Sequence, residues 1–186
     1  MIKLFKTLTI TIITLTFIHC NNSRFNVSKG NVGNLTTKTK INEIDVIFEN
    51  DSIVKILSEG EKGEYDLSED DKYEIYEKGG KHLLTIIPKD QLDLNSTIKS
   101  IEIFDERFQT RTGLNINSDF QEINANNNIT KVETSFSSAT LFIDDLNATI
   151  SIDKSDLGLK EFSMQKVSID QIPDLAKIKS FTIWFN

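Results

Sequence analysis

Apolar and polar residues alternate through most of the chain from residue 43 onward. One alternating run spans 44–48 and a second spans 53–57, with Asn50 and Asp51 between them. Two β-branched runs on either side of a tight Asn/Asp turn are typical of a β-hairpin. The pattern therefore predicts that a folded domain begins at residue 43 with a hairpin.

The same alternation predicts further strands along the rest of the chain. These segments are 72–77, 82–87, 97–104, 129–136, 139–143, 148–153, 162–169 and 180–186. An acidic loop is predicted at 58–71, and Asp144 and Asp145 are expected in a turn, where Asp is favoured.

Two short helices interrupt this pattern. Ser118 is predicted as the N-cap of the first, with Gln121 completing a capping box and with Phe120 and Ile123 on its apolar face. A second helical turn is expected at 170–176. The predicted fold class is mainly β to α+β: a single domain over 43–186, with an antiparallel sheet of about nine strands and one or two short helices.

The first 20 residues have the character of a targeting segment. Lys3 and Lys6 precede an apolar run over 8–18, and Cys20, which is the single cysteine, follows that run. The run has the length of a signal-peptide core and is shorter than the roughly 20 apolar residues that a membrane-spanning helix needs. An uncleaved anchor helix with an incidental cysteine is the alternative.

The sequence Phe17-Ile18-His19-Cys20 resembles a bacterial lipoprotein signal, although His19 departs from the usual small residue before the cysteine. In that family a peptidase cuts before the cysteine, and the cysteine thiol carries a diacylglycerol. The resemblance implies a signal peptide over 1–19, lipidation at Cys20 and a membrane as partner. It also implies localisation in the bacterial cell envelope, and the lack of an acidic run after Cys20 favours the periplasmic side of the outer membrane.

Residues 20–42 contain four basic residues and no acidic residue among mostly polar positions. Few apolar residues and no periodicity predict a flexible basic tether between the lipid and the domain. In one interpretation, its positive charges face anionic lipid headgroups. In the other, the segment is a solvated linker whose basic residues have no such role.

Composition narrows the possible functions. The formal net charge of −7 argues against nucleic acid as a partner, because phosphate binding needs a basic face. The single cysteine excludes an internal disulfide. After Cys20 there is one histidine, His82, inside a predicted strand, and we interpret it as an ordinary strand residue. No catalytic residue, metal site or cofactor is predicted.

Candidate binding residues are few. Tyr73, Tyr76 and Trp184 could line a ligand groove, although aromatic residues at strand positions usually pack in a core. The leading hypothesis is a non-catalytic binding or scaffolding protein, with an envelope protein as a possible partner. A periplasmic hydrolase based on two carboxylates is the alternative, and calcium binding at the acidic clusters is a further one.

A second, local resemblance concerns the middle of the chain. Gly113, Ser118 and Glu122-Ile123 are similar to the glycine and capped-helix opening of small BamE/SmpA-like lipoproteins, which support outer-membrane barrel assembly. That family is shorter and places its helices before its sheet. The resemblance implies a third functional hypothesis, an outer-membrane assembly or stress-related role.

Overall fold

Antiparallel strands account for most of the regular structure in the computed structural model, which describes residues 23–58, 70–159 and 165–185. In chain order the strands are β1 (Asn26–Ser28), β2 (Asn31–Val32), β3 (Leu35–Thr36), β4 (Ser52–Ile56), β5 (Lys72–Tyr76), β6 (His82–Pro88), β7 (Ile98–Ile103), β8 (Gln109–Thr110), β9 (Ile129–Thr134), β10 (Ser138–Ile143), β11 (Ala148–Asp153) and β12 (Ser180–Trp184). Two helices, α1 (Ile44–Ile47) and α2 (Phe120–Asn126), complete the regular elements together with three short 3₁₀-helices. The fold is a single, mainly β domain, as the alternation predicts.

The large sheet has eight strands in the order β4-β5-β6-β7-β12-β11-β10-β9, and all of its pairs are antiparallel. It consists of two four-stranded meanders, β4–β7 and β9–β12, whose last strands pair with each other at the centre. One cross-strand row contains Ile75, Leu84, Ile103, Phe181, Ile150 and Leu141, and all six side chains are fully buried. Alternation within each strand therefore makes one face of this sheet the core face.

The small sheet has four short strands in the order β3-β2-β1-β8, and its β1–β8 pair is parallel. Val27, Val32 and Leu35 from this sheet are buried in the same hydrophobic cluster as the core face of the large sheet. The prediction of a flexible tether is therefore wrong for residues 23–42, which are part of the folded domain. Its apolar residues are sparse, but Val27, Val32, Leu35 and Ile41 are buried and Phe25 is partly buried.

The prediction that the segment 44–48 is the first strand of a hairpin is wrong. The segment forms α1, in which the Phe48 amide donates to the Ile44 carbonyl at 3.0 Å. Ile44 and Phe48 are buried on one side of this turn, whereas Val46 is 73% exposed. Apolar residues four positions apart share a helical face, so the pattern suits a helix as well as a strand. The predicted strand at 53–57 is present as β4, and it pairs with β5.

The helix α2 begins one residue later than predicted. Asp119, not Ser118, is its N-cap: the Asp119 carboxylate accepts from the Glu122 amide at 3.1 Å, and the Glu122 carboxylate accepts from the Asp119 amide. Phe120 and Ile123 are buried, as predicted, and the helix ends at the Asn-rich run.

Several predictions fall wholly or partly outside the described residues. These include the signal peptide over 1–19, Cys20 and most of the acidic loop at 58–71. Of the strand predicted at 162–169, residues 165–168 are not in a strand, and a 3₁₀-helix, Ile169–Gln171, follows them. Among the helices that the structure describes, none has the length and apolar character needed to cross a bilayer.

Candidate functional site

The face of the large sheet opposite the core, here called the open face, carries the candidate site. Side by side across seven strands, one row of this face contains Glu74, Thr85, Glu102, Thr182, Thr149, Phe142 and Lys131. Most of these side chains are half-buried, and they mix carboxylate, hydroxyl, aromatic and ammonium groups. This face therefore offers both stacking and hydrogen-bonding groups.

A groove of about 360 Å³, here called the Trp184 groove, lies over β10, β11 and the end of β12. Its lining consists of Thr140, Phe142, Ile143, Asp144, Asn147, Ala148, Thr149 and Trp184. The volume lies within the range of small-molecule sites.

Trp184 is held firmly in this groove. Its indole Nε1 donates to the Thr149 Oγ1 at 3.0 Å, and its carbonyl accepts from the Asn147 Nδ2 at 2.9 Å. Its amide donates to the Asn147 carbonyl at 2.8 Å. Asn147 has a positive φ of 50° in the β10–β11 turn, a conformation that Asn tolerates better than most residues. The ring is thus fixed by backbone and side-chain contacts together.

The polar groups of the groove lie around its aromatic rings. The Asp144 Oδ1 accepts from the Thr130 hydroxyl at 3.0 Å, and the half-buried Thr140 lines the groove further along β10. At the rim, the Lys131 Nζ lies 5.2 Å from the centre of the Phe142 ring. A second ammonium, the Lys29 Nζ, donates to the Asp144 carbonyl at 3.1 Å. The groove can therefore stack an apolar face of a ligand while it hydrogen-bonds the ligand's edges.

A second aromatic group lies on the open face, beyond β7. The His82 ring stacks between Tyr76 and Phe104, with ring centres 4.6 Å and 3.9 Å away. The Tyr76 hydroxyl donates to Glu74 at 2.7 Å, and this hydrogen bond is the main cause of the raised pKa of Tyr76. His82 is a strand residue, as predicted, and its Nε2 lies 3.1 Å from the Thr85 hydroxyl.

Glu102 is the carboxylate nearest the middle of the open face. It lies between Thr85 and Thr182 in the cross-strand row. Burial raises its pKa above the usual value, and His82 and Lys72 act in the opposite direction. Thr85, the neighbour of Glu102 in the row, is buried, so the centre of this face has little contact with solvent.

The three predicted binding residues do not form one site. Tyr73 is buried in the core, Tyr76 belongs to the histidine stack, and Trp184 lies in the groove, with β6 and β7 between the last two. Sequence reasoning missed Phe142 and Thr149, because only the β10–β11 register, which pairs these two residues, shows that they are neighbours.

A second cavity, of about 250 Å³, lies beside Arg24 between the small sheet and the turn that follows α1. Glu49 and Asp51 both line it. Arg24 binds both oxygens of Asp51, at 2.9 and 2.7 Å, so that carboxylate is engaged in an ion pair. Within the described part of the chain, no three acidic, histidine or cysteine side chains are grouped as a metal site.

The comparison with known proteins gives information on the fold of the chain and none on its activity. No family model matches the chain, and no curated protein matches it. A crystal structure of the uncharacterized protein YfeY from Escherichia coli is similar, with a TM-score of 0.54 and 13% identity, over 86% of this chain and 99% of that one. At this identity the similarity shows a shared fold.

Proposed function

We propose that the protein is a lipid-anchored protein of the bacterial cell envelope that binds a ligand in the Trp184 groove without transforming it. The anchor is Cys20, as the lipoprotein-like signal implies. The groove supplies the binding function, and Trp184, fixed by Thr149 and Asn147 beside Phe142, is the observation that carries the proposal.

The lining of the groove indicates the kind of ligand. The rings of Trp184 and Phe142 favour a flat apolar face, and the hydroxyl of Thr140 and the carboxylate of Asp144 favour hydrogen-bonding edges. A sugar ring has both properties. We therefore expect a neutral saccharide to bind.

Binding is measurable without an added label, because Trp184 is the single tryptophan of the chain. Full-length protein in detergent micelles would be titrated with N,N′-diacetylchitobiose, a neutral disaccharide. We expect a saturable change in tryptophan fluorescence that Phe142→Ala reduces at least about tenfold in affinity, since about 1.4 kcal/mol of stacking corresponds to that factor.

The matched control is Phe104→Ala, because Phe104 is a phenylalanine on the same face but outside the groove. This variant should bind as the unaltered protein does. A fluorescence change that does not saturate, or one that both variants weaken equally, would contradict binding in the groove.

The anchor is tested separately. Cys20→Ala should leave unprocessed precursor and remove incorporation of a labelled fatty acid. A Cys20→Ala protein that is still processed and acylated would show that the lipid is attached elsewhere.

A further inference from the structure

We propose that the folded domain lies directly against the lipid headgroups, with one particular end facing them. This end, here called the Arg24 end, consists of Arg24, the turn at 33–34 and the segment 49–51. The inference rests on the proposed acylation of Cys20, and it concerns how the domain is then oriented on the membrane.

The folded structure begins almost immediately after the proposed anchor. Arg24 forms its two-oxygen ion pair with Asp51, whose side chain is only 5% exposed. The Phe25 ring packs edge-on against Phe108, at 5.0 Å between centres, and the Arg107 guanidinium lies 4.6 Å from its centre. These contacts fix the chain to the domain at residues 24 and 25.

The remaining length of chain is short. Four residue steps separate Cys20 from Arg24, and a chain of that length extends at most about 14 Å, whatever its conformation. A tether reaching to residue 42 would extend up to about 80 Å. Because each headgroup layer is itself about 5–7 Å thick, the short connection brings the domain surface to the bilayer.

The small sheet determines which surface faces the lipid. An added Cβ on Gly33 would lie 2.3 Å from the Arg24 carbonyl oxygen, so the turn at 33–34 is at the Arg24 end. An added Cβ on Gly30 would lie 2.8 Å from the Thr37 Cγ2, so the turns at 29–30 and 37–38 lie together. Since β1, β2 and β3 run antiparallel, those two turns are at the opposite end of the small sheet.

The basic residues near the N-terminus are thereby divided between the two ends. Arg24 is next to the membrane, whereas Lys29 and Lys38 are on the far turns. The near surface presents the exposed amides of Asn34 and Asn50, and Val46, 73% exposed, is on the adjoining helix. The exposed Glu49 carboxylate also belongs to this surface, while the Asp51 charge is paired with Arg24. Exposed amides and a carboxylate can accept and donate hydrogen bonds at a headgroup layer that contains phosphatidylethanolamine.

The experiment uses full-length acylated protein in phosphatidylethanolamine/phosphatidylglycerol vesicles that contain a headgroup-linked nitroxide quencher. A fluorophore is attached to Asn34→Cys in one sample and to Lys38→Cys in another. Both positions are exposed turn residues. Acylation blocks the thiol of the single natural cysteine, so the introduced cysteine is the one that reacts.

We expect the label at position 34 to be quenched at least about twofold more than the label at position 38. Insertion of a 20-residue Gly/Ser spacer before Ser23 should abolish this difference, because the domain is then free to rotate. Equal quenching without the spacer overturns the proposed orientation.

Vesicle flotation separates this result from failure of the anchor. Protein that carries no acyl group and does not float with the vesicles overturns both the anchor and the orientation. Protein that floats but shows equal quenching overturns only the orientation.

Discussion

At the scale of single residues, Asp105 is a buried carboxylate that accepts from two basic side chains. Its side chain is fully buried, and it accepts from Arg107 Nη2 at 2.7 Å and from Lys81 Nζ at 3.0 Å. Arg107 also forms a two-point ion pair with Glu77 and lies over Phe25. Arg107 thus joins the end of β5 and the start of the folded chain to Asp105, which follows β7.

Because of this network, we expect the free energy of unfolding to fall as the solution becomes acidic. The network's hydrogen bonds and positive charges outweigh the effect of burial and lower the pKa of Asp105 to about 2, from 3.8. A lowered pKa stabilises the folded state above the unfolded-state value, and the contribution is lost as pH falls from about 4 to about 2. Asp105→Asn should lower the free energy of unfolding by about 2 kcal/mol at pH 7 and by almost nothing at pH 2, measured by urea denaturation across this range.

Asp45→Asn is the matched control for this prediction. Asp45 pairs with Lys55 at 2.9 Å, but both side chains are largely exposed. Removing the charge should cost under about 1 kcal/mol. A difference between Asp105→Asn and the unaltered protein that is equal at pH 7 and pH 2 would show that the carboxylate charge is not what stabilises the fold.

The candidate site shows what residue patterns alone could predict. The sequence singles out Trp184 because it is the single tryptophan and lies in the predicted strand 180–186. It does not single out Phe142 and Thr149, because their place near Trp184 depends on the pairing of β11 with β12, which are far apart along the chain. Alternation along the predicted strand does place Tyr73 and Tyr76 on opposite faces, because they are three residues apart, but it does not show that the face of Tyr73 is the core face.

At the scale of elements, the small sheet depends on the close approach of two backbones. Gly33 has a φ of 57°, and its Cα lies so near the Arg24 carbonyl that no side chain fits between them. The start of the folded chain can therefore pack against the β2–β3 turn only if residue 33 is a glycine.

Gly33→Ala should thus displace the segment at 24–25 and destabilise the fold by roughly 3 kcal/mol, the sum of left-handed backbone strain and the collision. Gly113→Ala has a similar positive φ but open space around the added methyl group, and it should cost only about 1–2 kcal/mol. Urea denaturation measures both values. Equal losses in the two variants would mean that the contact with Arg24 is unimportant.

The same sheet explains why the tether prediction failed. Its strands have only two or three residues each, which is too short for an alternating pattern to be recognised. The longer strands β5–β7 and β10–β12 were predictable because each has five or more residues with a buried face. For 44–48, the pattern suits both a strand and a helical turn, and the buried contacts of Ile44 and Phe48 favour the helix.

At the scale of the whole molecule, the two meanders share one core through the β7–β12 pair. Phe181, fully buried at this central pair, faces Ile103 on one side and Ile150 on the other. Both halves of the large sheet therefore depend on the same side chain.

Phe181→Ala should lower the free energy of unfolding by about 3–5 kcal/mol, because it leaves a cavity between the two meanders. Phe136→Ala, at a position that is 61% exposed, should cost under about 1 kcal/mol. Trp184 fluorescence and far-ultraviolet circular dichroism should report the same urea midpoint in each protein. Two separate midpoints would show that the meanders unfold independently.

The central position of β12 also has a consequence for how the chain acquires its structure. The strand at the middle of the large sheet, Ser180–Trp184, is synthesised after every other described strand. Until β12 emerges from the ribosome, β7 and β11 each lack a neighbouring strand. The apolar row that contains Phe181 is then incomplete. The two parts of the large sheet, β4–β7 and β9–β11, can therefore join into one sheet only after the residues up to 184 have been synthesised.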